Sequence, residues 1–231
     1  MIVAIDGPSG AGKSTLAKRL ARELGFTYLD TGAMYRALAL KLLRQGFDFA
    51  DENALESIVD STQIDLAASD GQSRALLDGV DVSDSIRTPE VSQMASRVSA
   101  FPVVRKRMLQ LQRALGRKGS VVAEGRDIGT VIFPEAEVKI FLDATVNERA
   151  RRRYEELRSA GRNVTFEETT REIVERDKRD SERALAPLKK ADNALCIDSS
   201  GLSAEAVVHR VMQTIRERAS AGHEGSATKA R

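Results

Sequence analysis

Cysteine, histidine, tryptophan and a surplus of either charge are what this chain has least of. Its single cysteine, Cys196, has no partner for an internal disulfide, and a reducing setting is expected. The two histidines, His209 and His223, stand far from any cysteine or histidine at ligand spacing, so no zinc site can be read. With 36 Lys and Arg against 34 Asp and Glu the net charge is only +2, which excludes the broad basic field that drives sequence-independent nucleic-acid binding. Aromatic residues make up 4% and tryptophan is absent, so a base-stacking platform for single strands is not expected either. No run approaches membrane-spanning length and no basic segment with an apolar core opens the chain. A cytoplasmic location without membrane partners is the expectation. At 231 residues the chain suits one substantial core with attached flaps rather than two independent domains.

Glycine, by contrast, is concentrated where it has mechanical meaning. The apolar run Ile2-Val3-Ala4-Ile5 is followed by Gly7-Pro8-Ser9-Gly10-Ala11-Gly12-Lys13-Ser14-Thr15, a complete strand-to-helix phosphate loop. Glycines let successive backbone N–H groups turn inward on a polyphosphate, Lys13 can reach the outer phosphates, and Ser14 offers a hydroxyl to Mg²⁺. The helix that follows presents its positive end to the same anion. Leu16, Ala17, Leu20, Ala21 and Leu24 recur at helical spacing, and Gly25 supplies the stop.

Further strands are predicted at Thr27 to Leu29, Val121 to Ala123, Val138 to Leu142 and Leu195 to Ile197, with helical patterns between most of them. That alternation predicts an α/β fold of the phosphate-loop NTPase type, with a five-stranded parallel sheet flanked by helices. Each strand ends in a polar cluster: Asp6-Gly7, Asp30-Thr31-Gly32, Glu124 to Asp127, Asp143, and Asp198-Ser199. Ligands of open α/β sheets bind beyond the carboxyl ends of the strands, so these clusters should converge. Between Asp51 and Arg87 alternating segments punctuated by Gly71 and Gly79 predict a small antiparallel β insert. A helical lid, dense in Arg and Glu, is expected from Arg149 to Arg162. Thr165-Phe-Glu-Glu168 is a capping box that opens a helix running to about Leu185, before Pro187. The small, polar segment 219–231 is expected to be a disordered tail.

A phosphate loop alone serves GTPases, motors and small-molecule kinases. No Asn-Lys-x-Asp guanine signature is present, and the strand-end clusters are rich in Arg, Asp, Ser and Thr, which suits a second phosphorylated substrate facing the first. Five further motifs make the reading specific. Asp30-Thr-Gly-Ala-Met-Tyr-Arg36, Ser96 through Ala100-Phe-Pro-Val-Val-Arg105, Glu124-Gly-Arg-Asp-Ile-Gly-Thr130, Lys139-Ile-Phe-Leu-Asp-Ala144 and Glu175-Arg-Asp-Lys-Arg-Asp-Ser-Glu-Arg183 follow the phosphate loop. In that order they resemble the bacterial cytidylate kinases, from Ile2 to about Arg218.

The resemblance implies ATP-dependent phosphorylation of CMP and dCMP; Mg²⁺ at Ser14 and a monomer are expected beside it. It implies one nucleoside monophosphate kinase domain over 1–218, with a monophosphate-binding insert at about 51–95 and a lid at about 149–163. It places Ser96, Arg105 and Asp127 on the base, Arg176 and Asp180 near the pentose hydroxyls, and Arg36, Arg126 and Arg183 on the monophosphate, with Thr31 and Tyr35 in the same site. Asp127 beside Ser96 and Arg105 is the acceptor-next-to-donors set that cytosine requires. Read from the residues alone, Asp127 could instead cap a helix or pair with Arg126. Arg176, Asp180 and Arg183, spaced four and three apart, could be an ordinary surface ion pair with a neighbour. Tyr35 packs under the nucleotide or belongs to a helix core, and Asp30 orients the acceptor or caps the next helix. Of Arg149, Arg151, Arg152 and Arg153, the pair Arg152 and Arg153 is selected with Lys13 as the group acting on the transferring phosphoryl. Cys196 is expected to be buried filler in the last strand.

Overall fold

A computed structural model describes the chain over residues 1–69 and 72–227. Strand β1 (Ile2–Asp6) leads through the glycine loop into α1 (Lys13–Leu24), then β2 (Thr27–Asp30) and α2 (Thr31–Arg44). The insert follows: α3 (Glu52–Ser61), β3 (Ile64–Ser69), β4 (Gln72–Leu77), β5 (Val80–Asp81) and α4 (Pro89–Val98). Helix α5 (Pro102–Gly116) returns the chain to β6 (Val121–Gly125), a π-helical turn at Ile128–Ile132 and β7 (Val138–Asp143). Helices α6 (Val146–Ser159) and α7 (Phe166–Glu182) form a hairpin before β8 (Leu195–Asp198) and α8 (Ala204–Ala227).

The main sheet has the order β2-β6-β1-β7-β8, and every described pairing in it is parallel. Covered on both faces, β1 and β6 read as continuous apolar runs rather than alternating ones, and Val3, Ala4, Ile5, Val122 and Ala123 are fully buried. In register, Ile5 faces Glu124 and Asp6 faces Gly125, which sets the polar ends of β1 and β6 side by side. The insert strands pair antiparallel in the order β3-β4-β5, as the alternation predicted. The insert is not a separate body. Met34, Leu38 and Leu42 on one face of α2 share a core with Leu55, Val82, Ile86, Val98 and Met108. Each such side chain contributes roughly 1.5–3 kcal/mol by leaving water, so the α2 that carries site residues is held from both sides.

The helix ends follow sequence chemistry. Gly25 closes α1 in the left-handed region at φ 67°, and Thr165 and Glu168 form both bonds of the capping box at α7. Four expectations need correction. Helix α7 ends at Glu182 rather than near Leu185, because Arg183 is already extended. The lid helix begins three residues earlier than the arginine run, at Val146, since Thr145 caps it by accepting from the Glu148 N–H. Cys196 is exposed, not buried, because β8 is the sheet edge and the alternation that buries Ile197 turns Cys196 outward. The lid helix ends at Ser159 rather than Arg162, with Ala160 as its cap; helix α8 is described through Ala227, within the segment 219–231 expected to be a tail. The end of that tail, 228–231, and Gly71 of the insert lie outside the described residues.

Candidate active site

The carboxyl ends of β1, β2 and β6 open into one cleft of about 690 Å³. Ser9, Gly10, Gly12, Lys13, Ser14 and Thr15 line its floor, Asp30, Arg36, Glu124 and Arg126 one wall, and Arg153 with Arg176 the other. Gly10 and Gly12 turn at φ 78° and 93°, conformations that suit glycine. A Cβ on Gly7 would meet the Leu142 carbonyl oxygen at 1.9 Å, so the loop lies directly on β7. Gly7, Pro8 and Ala11 contribute backbone rather than side chains. The Pro8 carbonyl accepts from Lys13 Nζ at 2.6 Å, and Ala11 lies fully buried beneath the loop.

Lys13 is almost wholly buried, and burial pushes its pKa down to about 7, with Arg126 acting in the same sense. Burial likewise raises the Glu124 carboxyl above its usual range, with Asp30 adding to the shift. Glu124 accepts from Tyr28 Oη at 2.5 Å and from the Ser14 hydroxyl. Ser14 thereby spends its proton on Glu124 and keeps its lone pairs for a cation. Among the described residues no cluster of three His, Cys, Asp or Glu could hold a metal alone. That donor set fits Mg²⁺ bound chiefly through phosphate oxygens and water, with Ser14 as the protein ligand.

Next to this cleft lies a tighter pocket of about 50 Å³, lined by Thr31, Tyr35, Ser96, Arg105, Arg126, Asp127, Arg176, Asp180 and Arg183. Residues predicted from α2, α4, α5, the β6 turn and α7 meet here, and Arg126 and Arg176 line both spaces. The two carboxylates are buried among guanidinium groups. Asp127 pairs closely with Arg105 and lies 3.7 Å from Arg183, while Asp180 pairs with Arg126 at 2.9 Å and with Arg176 at 3.8 Å. The Ser96 hydroxyl lies 3.5 Å from Asp180. Burial pushes the Asp127 carboxyl up, against the pull of Arg105. At Asp180 burial acts upward too, but Arg126, Arg176 and Arg183 together hold it below the usual range. Four guanidinium groups therefore face two carboxylates. Burial, reinforced by Arg126, lowers Arg176 to about 10. Arg176 Nε and Arg183 Nη2 are buried and make no hydrogen bond within the described residues, their nearest carboxylates, Asp180 and Asp127, lying at 3.8 and 3.7 Å.

Several open alternatives are resolved by this geometry. Asp127 makes no helix-cap bond, and the Arg176–Asp180 pair is interior rather than a surface pair. Asp30 does cap α2, accepting from the Ala33 N–H at 2.8 Å, and also holds Arg36 at 2.9 Å. Tyr35 lines the pocket while its ring packs on the α2 core, and burial raises its hydroxyl to about 12. Arg152 and Arg153 differ. Arg152 is tied to Glu148, to the Ser199 hydroxyl at 3.0 Å and to the Ser199 carbonyl at 2.8 Å, whereas Arg153 pairs, among the described residues, with the exposed Glu156.

Other site residues carried no assigned role in the sequence. Asp6, raised to about 6 by burial, accepts from the Ile128 and Gly129 N–H groups at 2.7 and 2.8 Å and so fixes the turn bearing Asp127. Ser99 accepts from Arg183 and, through its carbonyl, from Arg105, each at 3.3 Å. Arg149 donates to the Ser9 carbonyl at 3.1 Å and pairs closely with Asp177, fastening the phosphate loop to α7. Asp6 and Glu124 stood in the polar strand ends and Arg149 in the arginine run, but the partners that give them meaning come from distant sequence.

A phosphate loop and an arginine-lined acceptor pocket, end to end over one parallel sheet, define a small-molecule phosphate-loop kinase. A model of the cytidylate kinase family matches residues 3–217. A cytidylate kinase of Carboxydothermus hydrogenoformans is 50% identical over 215 residues, covering 93% of this chain and 97% of that protein. One of Syntrophotalea carbinolica is 50% identical over 218 residues, covering 94% and 93%. The chain belongs to the cytidylate kinase family. A solved structure of an uncharacterized protein from Eubacterium ventriosum is similar in fold alone, with a TM-score of 0.50 at 14% identity over 94% of this chain and 98% of that one.

Proposed function

We propose that the chain transfers the γ-phosphoryl group of ATP to CMP and dCMP in one in-line step, as a cytoplasmic monomer that uses Mg²⁺. The observation that carries this reading is the phosphate-loop cleft holding Lys13 beside a pocket lined by Arg126, Arg176 and Arg183, whose far end is closed by Ser96, Arg105 and Asp127. The loop from Gly7 to Thr15 cradles the triphosphate through its backbone N–H groups, and Lys13 neutralises its outer charge. A small pocket of about 170 Å³ beside the loop, walled by Leu16, Leu142, Leu202 and Val207, suits the adenine ring. Mg²⁺ would be held by Ser14 together with the phosphates and would supply charge neutralisation for the transfer.

Arg36, Arg126 and Arg183 grip the acceptor phosphate, since a planar guanidinium can take two of its oxygens at once. Arg176 and Asp180 meet the pentose. Asp127 accepts from the cytosine amino group while Arg105 and Ser96 serve the neighbouring ring atoms. Uracil would set a carbonyl oxygen against the Asp127 carboxylate, two desolvated acceptors face to face, which such a site rejects strongly. Arg153, free of the bonds that fix Arg152, is the lid arginine placed to swing onto the transferring group. Arg152 steadies the loop beside Ser199. Closure of the α6–α7 lid and the β insert excludes water, so that ATP is not hydrolysed in place of transfer.

A panel of CMP, dCMP, UMP and AMP at equal ATP and Mg²⁺ tests the reading. Turnover of CMP and dCMP well above UMP and AMP is expected, and equal or better use of UMP or AMP would overturn it.

A further inference from the structure

The last residue of β1 reaches across to the turn that follows β6. Asp6 is 3% exposed, and both of its carboxylate oxygens are engaged: Oδ1 accepts from the Ile128 N–H at 2.7 Å and Oδ2 from the Gly129 N–H at 2.8 Å. These are the two N–H groups that directly follow Asp127. Successive backbone N–H groups converging on an anion form a nest, and hydrogen bonds to an ionised acceptor are about twice as strong as neutral ones. From the other side, the Asp127 carbonyl accepts from the Val131 and Ile132 N–H groups at 2.9 and 3.1 Å. The peptide that joins Asp127 to Ile128 is therefore fixed at both its carbonyl and its N–H. The turn it opens is π-helical, a rare form that recurs at functional sites.

Holding the turn in this way has a cost. Burial pushes the Asp6 carboxyl up to about 6 against the pull of the two N–H groups, with the nearby Asp127 charge acting upward and Lys13 downward. An asparagine would fill the same space without a charge to bury. Only one of its two terminal atoms accepts, however, so its NH₂ group would be set against one of the two backbone N–H groups. Asp6 lines neither the phosphate-loop cleft nor the acceptor pocket, so it acts on a substrate through the residues it holds.

On the reading that Asp127 takes the cytosine amino group, we propose that Asp6 is a positioning residue for base discrimination, its two bonds setting where the Asp127 carboxylate stands and hence how strongly cytosine is preferred to uracil. The short Asp127 side chain follows its backbone, so a turn that relaxes carries the carboxylate with it. Misplacing a group by about 1 Å can cost about 10²-fold. Arg105 and Arg183 meet the carboxylate at its far end, and Asp6 fixes the near end through the main chain.

The test measures kcat/KM for CMP and for UMP at saturating ATP in the wild type, in Asp6→Asn and in Gly129→Ala. CMP and UMP share phosphate and pentose, so an effect of the substitution on Arg126 or, through charge, on Lys13 cancels in their ratio. Asp6→Asn should lower the CMP/UMP ratio by at least about threefold. A role confined to stability would reduce turnover of both nucleotides alike, so a folded Asp6→Asn whose ratio equals or exceeds that of the wild type overturns the proposal. Should Asp6→Asn not fold, Gly129→Ala decides. A methyl on Gly129 would stand 3.2 Å from Lys139 Cδ and 3.4 Å from Asp6 Oδ2, which crowds the same clasp without changing any charge. Its ratio should fall by at least about twofold, and an unchanged ratio is again the overturning result. Failure of the base reading shows separately, as a wild type that uses UMP as well as CMP, and the proposal would fall with it.

Discussion

The two halves of the cleft are built by opposite means. The phosphate-loop half comes from nine contiguous residues, and its glycine angles and helix end are set by the backbone itself. The acceptor half is made of side chains from five elements, and in the structure those side chains satisfy one another: Arg105 with Asp127, Arg126 and Arg176 with Asp180. The difference teaches that the first half is fixed by its own backbone, while the second is held by ion pairs among its own side chains. Mutual pairing keeps those buried charges tolerable, and on the proposed function a bound monophosphate would have to exchange with them.

Breaking the backbone-built half at Lys13 should give the largest effect. Lys13→Ala is expected to cut kcat/KM by about 10²–10³ with an unchanged circular dichroism spectrum, and a fully active variant would remove Lys13 from the chemistry. In the side-chain half, Asp127→Ala should reduce the preference for CMP over UMP by at least about tenfold. A CMP/UMP ratio identical to that of the wild type would separate Asp127 from base recognition.

Gly7→Ala tests the claim that the loop is rigid because it lies on β7. The added methyl meets a backbone carbonyl that cannot move aside, so a loss of about 2 kcal/mol and a Tm lower by about 5 °C are expected in thermal unfolding. An unchanged Tm would mean that the loop is free to lift. The buried Lys13, lowered to about 7 by burial, gives a subtler measurement. Polyphosphate favours the charged amine and raises its pKa again, so nucleotide binding above pH 7 should take up a proton, and affinity should fall as pH rises through 7 to 9. Calorimetry in buffers of different ionisation enthalpy reads that uptake, and proton release would contradict the sign. The linked effect on stability runs upward. An amine lowered by folding binds more protons unfolded, so its contribution to stability grows with pH above about 7. The smallest effect is expected at Arg151, whose pairs with Glu148 and Glu155 are exposed on the outer face of the lid. Arg151→Ala should leave turnover and Tm within error, unlike any arginine of the acceptor pocket.

How much of this was legible follows the same division. Gly7 to Thr15, the strand runs and the Thr165 capping box carry their structure in local order, so reading along the chain found them. Tyr35 and Asp30 could not be settled that way, because each does two things at once: Asp30 caps α2 and holds Arg36. Cys196 was misjudged because strand order, not strand composition, decides which strand lies at the edge.

The sequence by itself determined the phosphate loop and the parallel α/β architecture, since periodicity, glycine geometry and motif spacing act over short stretches of chain, while the proposed acceptor residues came from resemblance to a family. Only the tertiary structure decided which arginine meets which carboxylate, that Arg149 fastens the loop to α7, and that the buried Gln112 amide has no hydrogen-bond partner among the described residues. Those outcomes depend on burial and on contacts between residues as far apart as Ser9 and Arg149, and neither is written in local order.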